Sequence, residues 1–96
     1  MEMNKLTETR EQTWARIWNI LIETNYLIRQ TGDFANKSQA LAYSRRYGLS
    51  FKEYGVNGLD TQIIYVLSNL QYFRGETARG VKKDLNRVRK ILETLA

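Results

Sequence analysis

The apolar side chains in the last third of the chain recur at a spacing that an α-helix brings onto one face. From residue 81 onward they follow one another at alternating intervals of four and three residues. They are Val81, Leu85, Val88, Leu92 and Leu95. Because an α-helix turns by about 100° per residue, these positions form one continuous apolar stripe. The sequence therefore predicts a long final helix, over residues 77–95, that packs along this stripe.

The opposite side of the same predicted helix is strongly basic. Its cations are Arg79, Lys82, Lys83, Arg87 and Lys90. We assign these five residues, together with Arg45 and Arg46 earlier in the chain, to contact with an anionic partner, because clustered Lys and Arg side chains attract phosphates and carboxylates. The alternative is that the basic face serves only to keep the protein in solution.

Charge is unevenly distributed along the 96 residues. Residues 1–37 carry five basic and five acidic side chains, whereas residues 38–96 carry ten basic and five acidic ones. The net charge of +5 therefore lies in the second part of the chain. Such asymmetry is typical of proteins that bind nucleic acid, an anionic membrane or an acidic protein surface.

The composition argues against several classes of function. The chain has no histidine and no cysteine, so it lacks the commonest general base, the commonest metal ligand and any thiol nucleophile. Its acidic residues do not follow the spacing of a calcium-binding loop. We therefore expect no enzymatic activity, no catalytic residues, no metal site and no cofactor.

The length and the amino-terminal sequence set the expected organisation and location. With 96 residues, of which 43% are hydrophobic and 26% charged, the chain is expected to form a single helical domain over residues 1–96. Its start, MEMNKLTETREQTW, is polar and mixed in charge, unlike a signal peptide. Since no apolar run approaches the ~20 residues that span a membrane, we expect a cytoplasmic protein without a membrane partner.

Capping signals predict the first helix and a short second one. Thr9 followed by Gln12 matches a capping box, so the first helix is expected from Thr9 to Arg29, with Gly32 ending it in a left-handed conformation. A short helix is expected from Ser38 to Tyr47, closed by the glycine that follows it.

Glycines and a capping aspartate set the expected layout of the middle of the chain. Ser50 is expected to begin one more helical turn that Gly55 stops, and residues 56–58 to form a turn. The second long helix is then expected to begin at Asp60 and to reach Phe73. The predicted fold is all-α, a compact bundle of three main helices with a short helical insert between the first and second long helices.

The same periodicities predict which residues form the hydrophobic core. We expect eight side chains from the three long helices to share one core. They are Trp14, Trp18, Leu21, Leu67, Leu70, Leu85, Val88 and Leu92. An apolar arc covered by several neighbouring helices is the usual arrangement in a small bundle.

The first predicted helix has more apolar surface than one neighbour can cover. Trp14 and Trp18 lie in this arc, and Asn25 interrupts it near its centre. A polar residue in such a position either is hydrogen-bonded within the core or fixes the register of an oligomer. We therefore predict a homo-oligomer, most simply a dimer, with Trp14, Trp18 and Asn25 at its interface.

A second candidate surface lies on the predicted second long helix, over residues 60–73. Tyr65 and Tyr72 are seven residues apart, with Ser68 and Asn69 between them, opposite the predicted inner face. Tyrosine is enriched at the centres of protein interfaces, and aromatic rings also stack on nucleic-acid bases. We assign these four residues to partner binding, although the first helix would also be able to cover this face.

The sequence thus favours a non-enzymatic helical protein that binds a surface of a macromolecular partner, as a regulator, an inhibitor or an assembly subunit. The expected partner is another protein or a protein–nucleic acid complex. Two alternatives remain. The basic final helix would bind nucleic acid through its phosphates, or an oligomer would hold a small anionic ligand, such as a nucleotide, between its basic and tyrosine-bearing faces.

Overall fold

The structure is a computed structural model that describes residues 8–96. This range contains four α-helices and no strand: α1 (Arg10–Gln30), α2 (Lys37–Ser44), α3 (Tyr47–Ser68) and α4 (Glu76–Leu95). The predicted all-α class is confirmed. Residues 1–7, which begin the polar amino-terminal stretch, lie outside the described part. Both α2 and α4 pack against α1 and α3, so these two helices are the shared neighbours of the others.

Helix α1 begins where its capping box predicts and ends differently. The Gln12 amide donates to Thr9 Oγ1 at 3.0 Å, and the Thr9 amide donates to Gln12 Oε1 at 2.9 Å. At the other end the chain leaves through an extended Thr31, and Gly32 does not take a left-handed conformation. The Thr31 hydroxyl donates to the Ile28 carbonyl at 2.8 Å. This bond satisfies a terminal carbonyl without a left-handed glycine.

Helix α3 runs through the region where the sequence predicts a turn. It begins at Tyr47 and continues to Ser68, and Gly55 is the one residue inside it with non-helical dihedrals, φ 71° and ψ −152°. The predicted turn at residues 56–58 is therefore wrong, as is the predicted helix start at Asp60. Gly55 interrupts the helix, as predicted, but a second helical leg follows it directly, without the predicted turn.

Gly58 is the position at which the two legs of the bent helix meet. A Cβ atom added to Gly58 would lie 2.5 Å from Tyr54 Cβ and 2.6 Å from the Ser50 carbonyl oxygen. Non-bonded carbon atoms have their optimal separation at about 3.5–4.0 Å, so only glycine fits this approach without movement. The glycine is required here by packing, whereas its sequence context suggested a turn.

A buried glutamine connects the bend to the preceding helix. Gln62 accepts a hydrogen bond from the Ser50 hydroxyl at 2.9 Å and donates from Nε2 to the Tyr43 carbonyl at 3.0 Å. Both ends of the amide are used, so its burial leaves no unpaired polar atom. These bonds tie the end of α2 and the first leg of α3 to the second leg.

The core lies between α1, α3 and α4, and it includes most of the predicted residues. Of the eight predicted core residues, Leu21, Leu70, Leu85, Val88 and Leu92 are buried. The other three, Trp14, Trp18 and Leu67, are only partly buried and pack against the core from outside. The tryptophans are large enough to reach the core edge while one side of each ring stays at the surface.

The connection between α3 and α4 is also part of the core. Helix α3 ends at Ser68, five residues before the predicted end at Phe73, yet Leu70 and Phe73 remain buried. The Phe73 ring stacks on Phe34, which precedes α2, at a centroid distance of 4.8 Å. Leu70 and Phe73 therefore continue the spacing of the buried residues of α3, although the helix itself ends before them.

The close approach at Gly58 predicts opposite effects for two glycine substitutions. Gly58→Ala should destabilise the protein by about 1–3 kcal/mol, because the new methyl group overlaps Tyr54 and Ser50. Gly80→Ala is the matched control, since Gly80 is an exposed residue of α4 with no neighbouring atom near the added Cβ. It should stabilise the protein by about 0.5–1 kcal/mol. Urea unfolding followed by circular dichroism measures both changes, and equal changes would contradict the packing role of Gly58.

Candidate functional site

Helix α4 presents a line of cations to solvent. Its buried face carries the predicted stripe, with Val81, Leu85 and Val88 completely inaccessible. On the opposite face, Arg79, Lys83 and Lys90 are exposed, and we call these three residues the basic row. At 1.5 Å per residue, the row extends for about 16 Å along the helix axis. Because the stripe is fixed in the core, the row is held pointing away from the protein.

Two acidic residues pair with two other cations of α4, and neither of them pairs with the basic row. Asp84 pairs with Arg87 at 3.3 Å, and Asp60 of α3 pairs with Arg89 at 2.8 Å. The hydrogen bond that the Arg89 guanidinium donates to Asp60 raises the pKa of Arg89 above its ordinary value. Within residues 8–96 the basic row takes part in no ion pair. Its charge is therefore available to a partner.

The predicted cations Lys82 and Arg87 flank the basic row. Lys82 is partly buried and lines a concavity of about 350 Å³ at the start of α4 with Arg74 and Arg79. The prediction had not assigned Arg74 to the site. Arg74 lies in the connection between α3 and α4, so helical periodicity could not place it beside the α4 face. The concavity extends the positive surface beyond the row.

The other two predicted cations lie in a different part of the molecule. Arg45 and Arg46 form the junction between α2 and α3, whereas the basic row is on α4. Arg46 lines a groove of about 440 Å³ whose walls include Glu53, Tyr54 and Tyr65. Basic and acidic groups are both present in this groove, so its charge is balanced. The sequence alone did not show that the charge of this groove is balanced whereas the charge of the basic row is not.

The predicted tyrosine surface is divided between two places. Tyr65 is half-exposed on α3 and contacts the Tyr43 ring at a centroid distance of 5.3 Å. Tyr72 lies beyond the end of α3 and lines a separate concavity beside the α1–α2 connection. Between them, Ser68 donates to the Ile64 carbonyl and Asn69 donates to the Tyr65 carbonyl. Their side chains therefore help to complete the end of α3.

The predicted interface residues of α1 are partly covered by the chain itself. Phe51 lies 4.7 Å from the Trp14 ring and 5.7 Å from the Trp18 ring, measured between centroids. Asn25 accepts a hydrogen bond from the Ser44 hydroxyl at 2.8 Å. The large apolar residues that remain exposed on α1 are Ile22 and Tyr26, at 67% and 56%. The sequence prediction had assigned neither Ile22 nor Tyr26 to an interface.

A groove runs beside the exposed side chains of α1. It has a volume of about 260 Å³, and its walls include Trp18, Ile22, Asn25 and Tyr47. Burial raises the pKa of the Tyr47 phenol well above its ordinary value, so this side chain is neutral at physiological pH. The groove combines an apolar lining with an amide and a hydroxyl that already bond to each other.

Among residues 8–96, no group of three or more acidic side chains is arranged to hold a metal ion. No helix in this part of the chain is both long enough and apolar enough to cross a membrane.

Comparisons with protein-family models, with curated proteins and with solved structures found no match to this chain.

Proposed function

We propose that this chain is a non-enzymatic binding protein that occupies a surface of a macromolecular partner, as a regulator, an inhibitor or an assembly subunit. The basic row of α4 makes the central contact, and the partner surface that it meets is anionic. The supporting observation is that Arg79, Lys83 and Lys90 are exposed in one line without an ion pair in residues 8–96.

An acidic protein surface fits this arrangement on electrostatic grounds. Complementary charges across an interface accelerate association and suppress wrong partners. The long side chains of Arg79, Lys83 and Lys90 also adapt to carboxylates at different positions. We expect the partner to carry Asp and Glu side chains along a strip that matches the row, about 16 Å in length.

Nucleic acid is the second candidate partner, and the shape of the row is the observation that favours it. Phosphates form a regular line of negative charge, and the basic row is also linear. Between Lys83 and Lys90 the same face carries the neutral Asn86, whose side-chain amide donates to the Lys82 carbonyl at 3.0 Å. No carboxylate interrupts the row. Contacts of this kind bind phosphates and carry no base information.

Retention on immobilised heparin, a polyanion, tests whether the basic row is the main anion-binding face. Lys83→Glu and Lys52→Glu each lower the net charge of +5 by two, but Lys52 lies on α3 and is exposed away from the row. Wild-type protein should elute at the highest salt concentration, Lys52→Glu slightly earlier and Lys83→Glu clearly earliest. Equal elution of the two variants would show that binding follows net charge alone, contrary to the proposal.

Salt dependence of duplex DNA binding tests the second candidate. If the basic row and Lys82 neutralise four phosphates, the slope of log K against log salt should be about −3 to −4, at roughly −0.9 per phosphate. The double variant Lys83→Glu/Lys90→Glu should reduce the steepness by about two and weaken binding to unrelated sequences equally. Fluorescence anisotropy gives both quantities. An absence of binding at the roughly 10⁻⁴–10⁻⁶ M typical of non-specific complexes would exclude nucleic acid and leave the protein partner.

A further inference from the structure

The outward face of α1 carries a strip of residues that has opposite charges at its two ends. Positions along the strip recur every three or four residues, so they share one side of the helix. They are Glu11, Ala15, Trp18, Ile22, Tyr26 and Arg29. All are exposed except Trp18, which is half-buried. We call this set the α1 strip.

The interior of the α1 strip is apolar and uncharged, and the groove lies beside it. Between the terminal charges stand a small residue, Ala15, and three large ones. Asn25 and Ser44, which line the groove, are hydrogen-bonded to each other at 2.8 Å. Because the Ser44 hydroxyl already bonds to the Asn25 oxygen and the other walls are largely apolar, the groove favours an apolar side chain.

We infer that a second copy of this chain covers the α1 strip, with the two α1 helices antiparallel about a two-fold axis that passes between Trp18 and Ile22. In this register each Ile22 packs against the second copy's Trp18, at the groove that Trp18 lines. Each Tyr26 lies over the second copy's Ala15, so that a large side chain meets a small one. Each Glu11 faces the second copy's Arg29, and the symmetry forms this pair twice.

Self-complementarity is what favours a second copy over an unrelated protein. A two-fold axis requires that one patch fits itself, and the α1 strip does so in both size and charge. An acid at one end and a base at the other end match only when the helices are antiparallel. Dimerisation through the basic row would instead bring like charges together. The inference therefore stands independently of the proposed anionic partner.

Sedimentation equilibrium of four proteins tests this arrangement: wild type, Glu11→Arg, Arg29→Glu, and the double variant Glu11→Arg/Arg29→Glu. The wild-type protein should dimerise between about 1 μM and 1 mM, a range of dissociation constants typical of small interfaces. Each single reversal places like charges opposite each other at both ends and should weaken the dimer roughly tenfold. The double variant restores opposite charges and should return the dissociation constant to within about threefold of wild type.

Recovery of dimer affinity in the double variant distinguishes a contact between two copies from an effect within one chain. Glu11 and Arg29 are about 27 Å apart along α1, so they do not pair in a single copy. Both residues also interact favourably with the helix dipole, at the first and last turns, so the double variant should have the lowest melting temperature of the four. Dimer affinity recovers while thermal stability falls further. A wild-type monomer throughout the range, or a double variant no tighter than the single ones, would overturn the inference.

Discussion

The burial of the apolar stripe of α4 against α1 and α3 is the interaction on which the rest of the structure depends. Val81, Leu85 and Val88 are completely buried, and burying each such side chain contributes about 1.5–3 kcal/mol. A free helix of this length with a glycine inside it would be marginal in water. Packing therefore both forms α4 and fixes its rotation. The outward direction of the basic row is a consequence of that rotation.

The positions of a few acidic residues then decide which cations remain available. Asp60 projects from α3 toward α4 and pairs with Arg89, while Asp84 pairs with Arg87 on α4 itself. Exposed ion pairs of this kind add at most about 1 kcal/mol to stability. Their larger effect is on the distribution of charge, because they neutralise Arg87 and Arg89 but not Arg79, Lys83 and Lys90. Within residues 8–96 these three cations of the exposed face of α4 take part in no ion pair.

Local signals were sufficient to predict α1 and α4, because each has a distinct pattern. The capping box at Thr9 located the start of α1, and the spacing of apolar residues located α4 to within one residue at its start. The middle of the chain was harder to predict. Gly58 has the sequence context of a turn, yet it is glycine because Ser50 and Tyr54 approach it closely. Only the three-dimensional packing distinguishes these two roles.

The same distinction applies to the candidate surfaces. Local sequence pattern determines some of them, and tertiary packing determines the others. The cations of α4 follow from helical periodicity, so the basic row was predictable. The remaining exposed surface of α1 was not, since Phe51, which is distant in sequence, covers part of Trp14 and Trp18. Ile22 and Tyr26 are exposed because no residue within 8–96 packs over them to the same extent. Tyr72 does not share a surface with Tyr65, because α3 ends before Tyr72.

The central claim is that the basic row of α4 binds an anionic macromolecular surface, and the most direct test is affinity capture from the cells that encode this chain. Wild type, Lys83→Glu and Lys52→Glu serve as baits in lysate treated with nuclease, and mass spectrometry quantifies the captured proteins. The account predicts a partner that the wild type and Lys52→Glu retain and that Lys83→Glu loses. Capture of the same proteins in equal amounts by all three baits would contradict it.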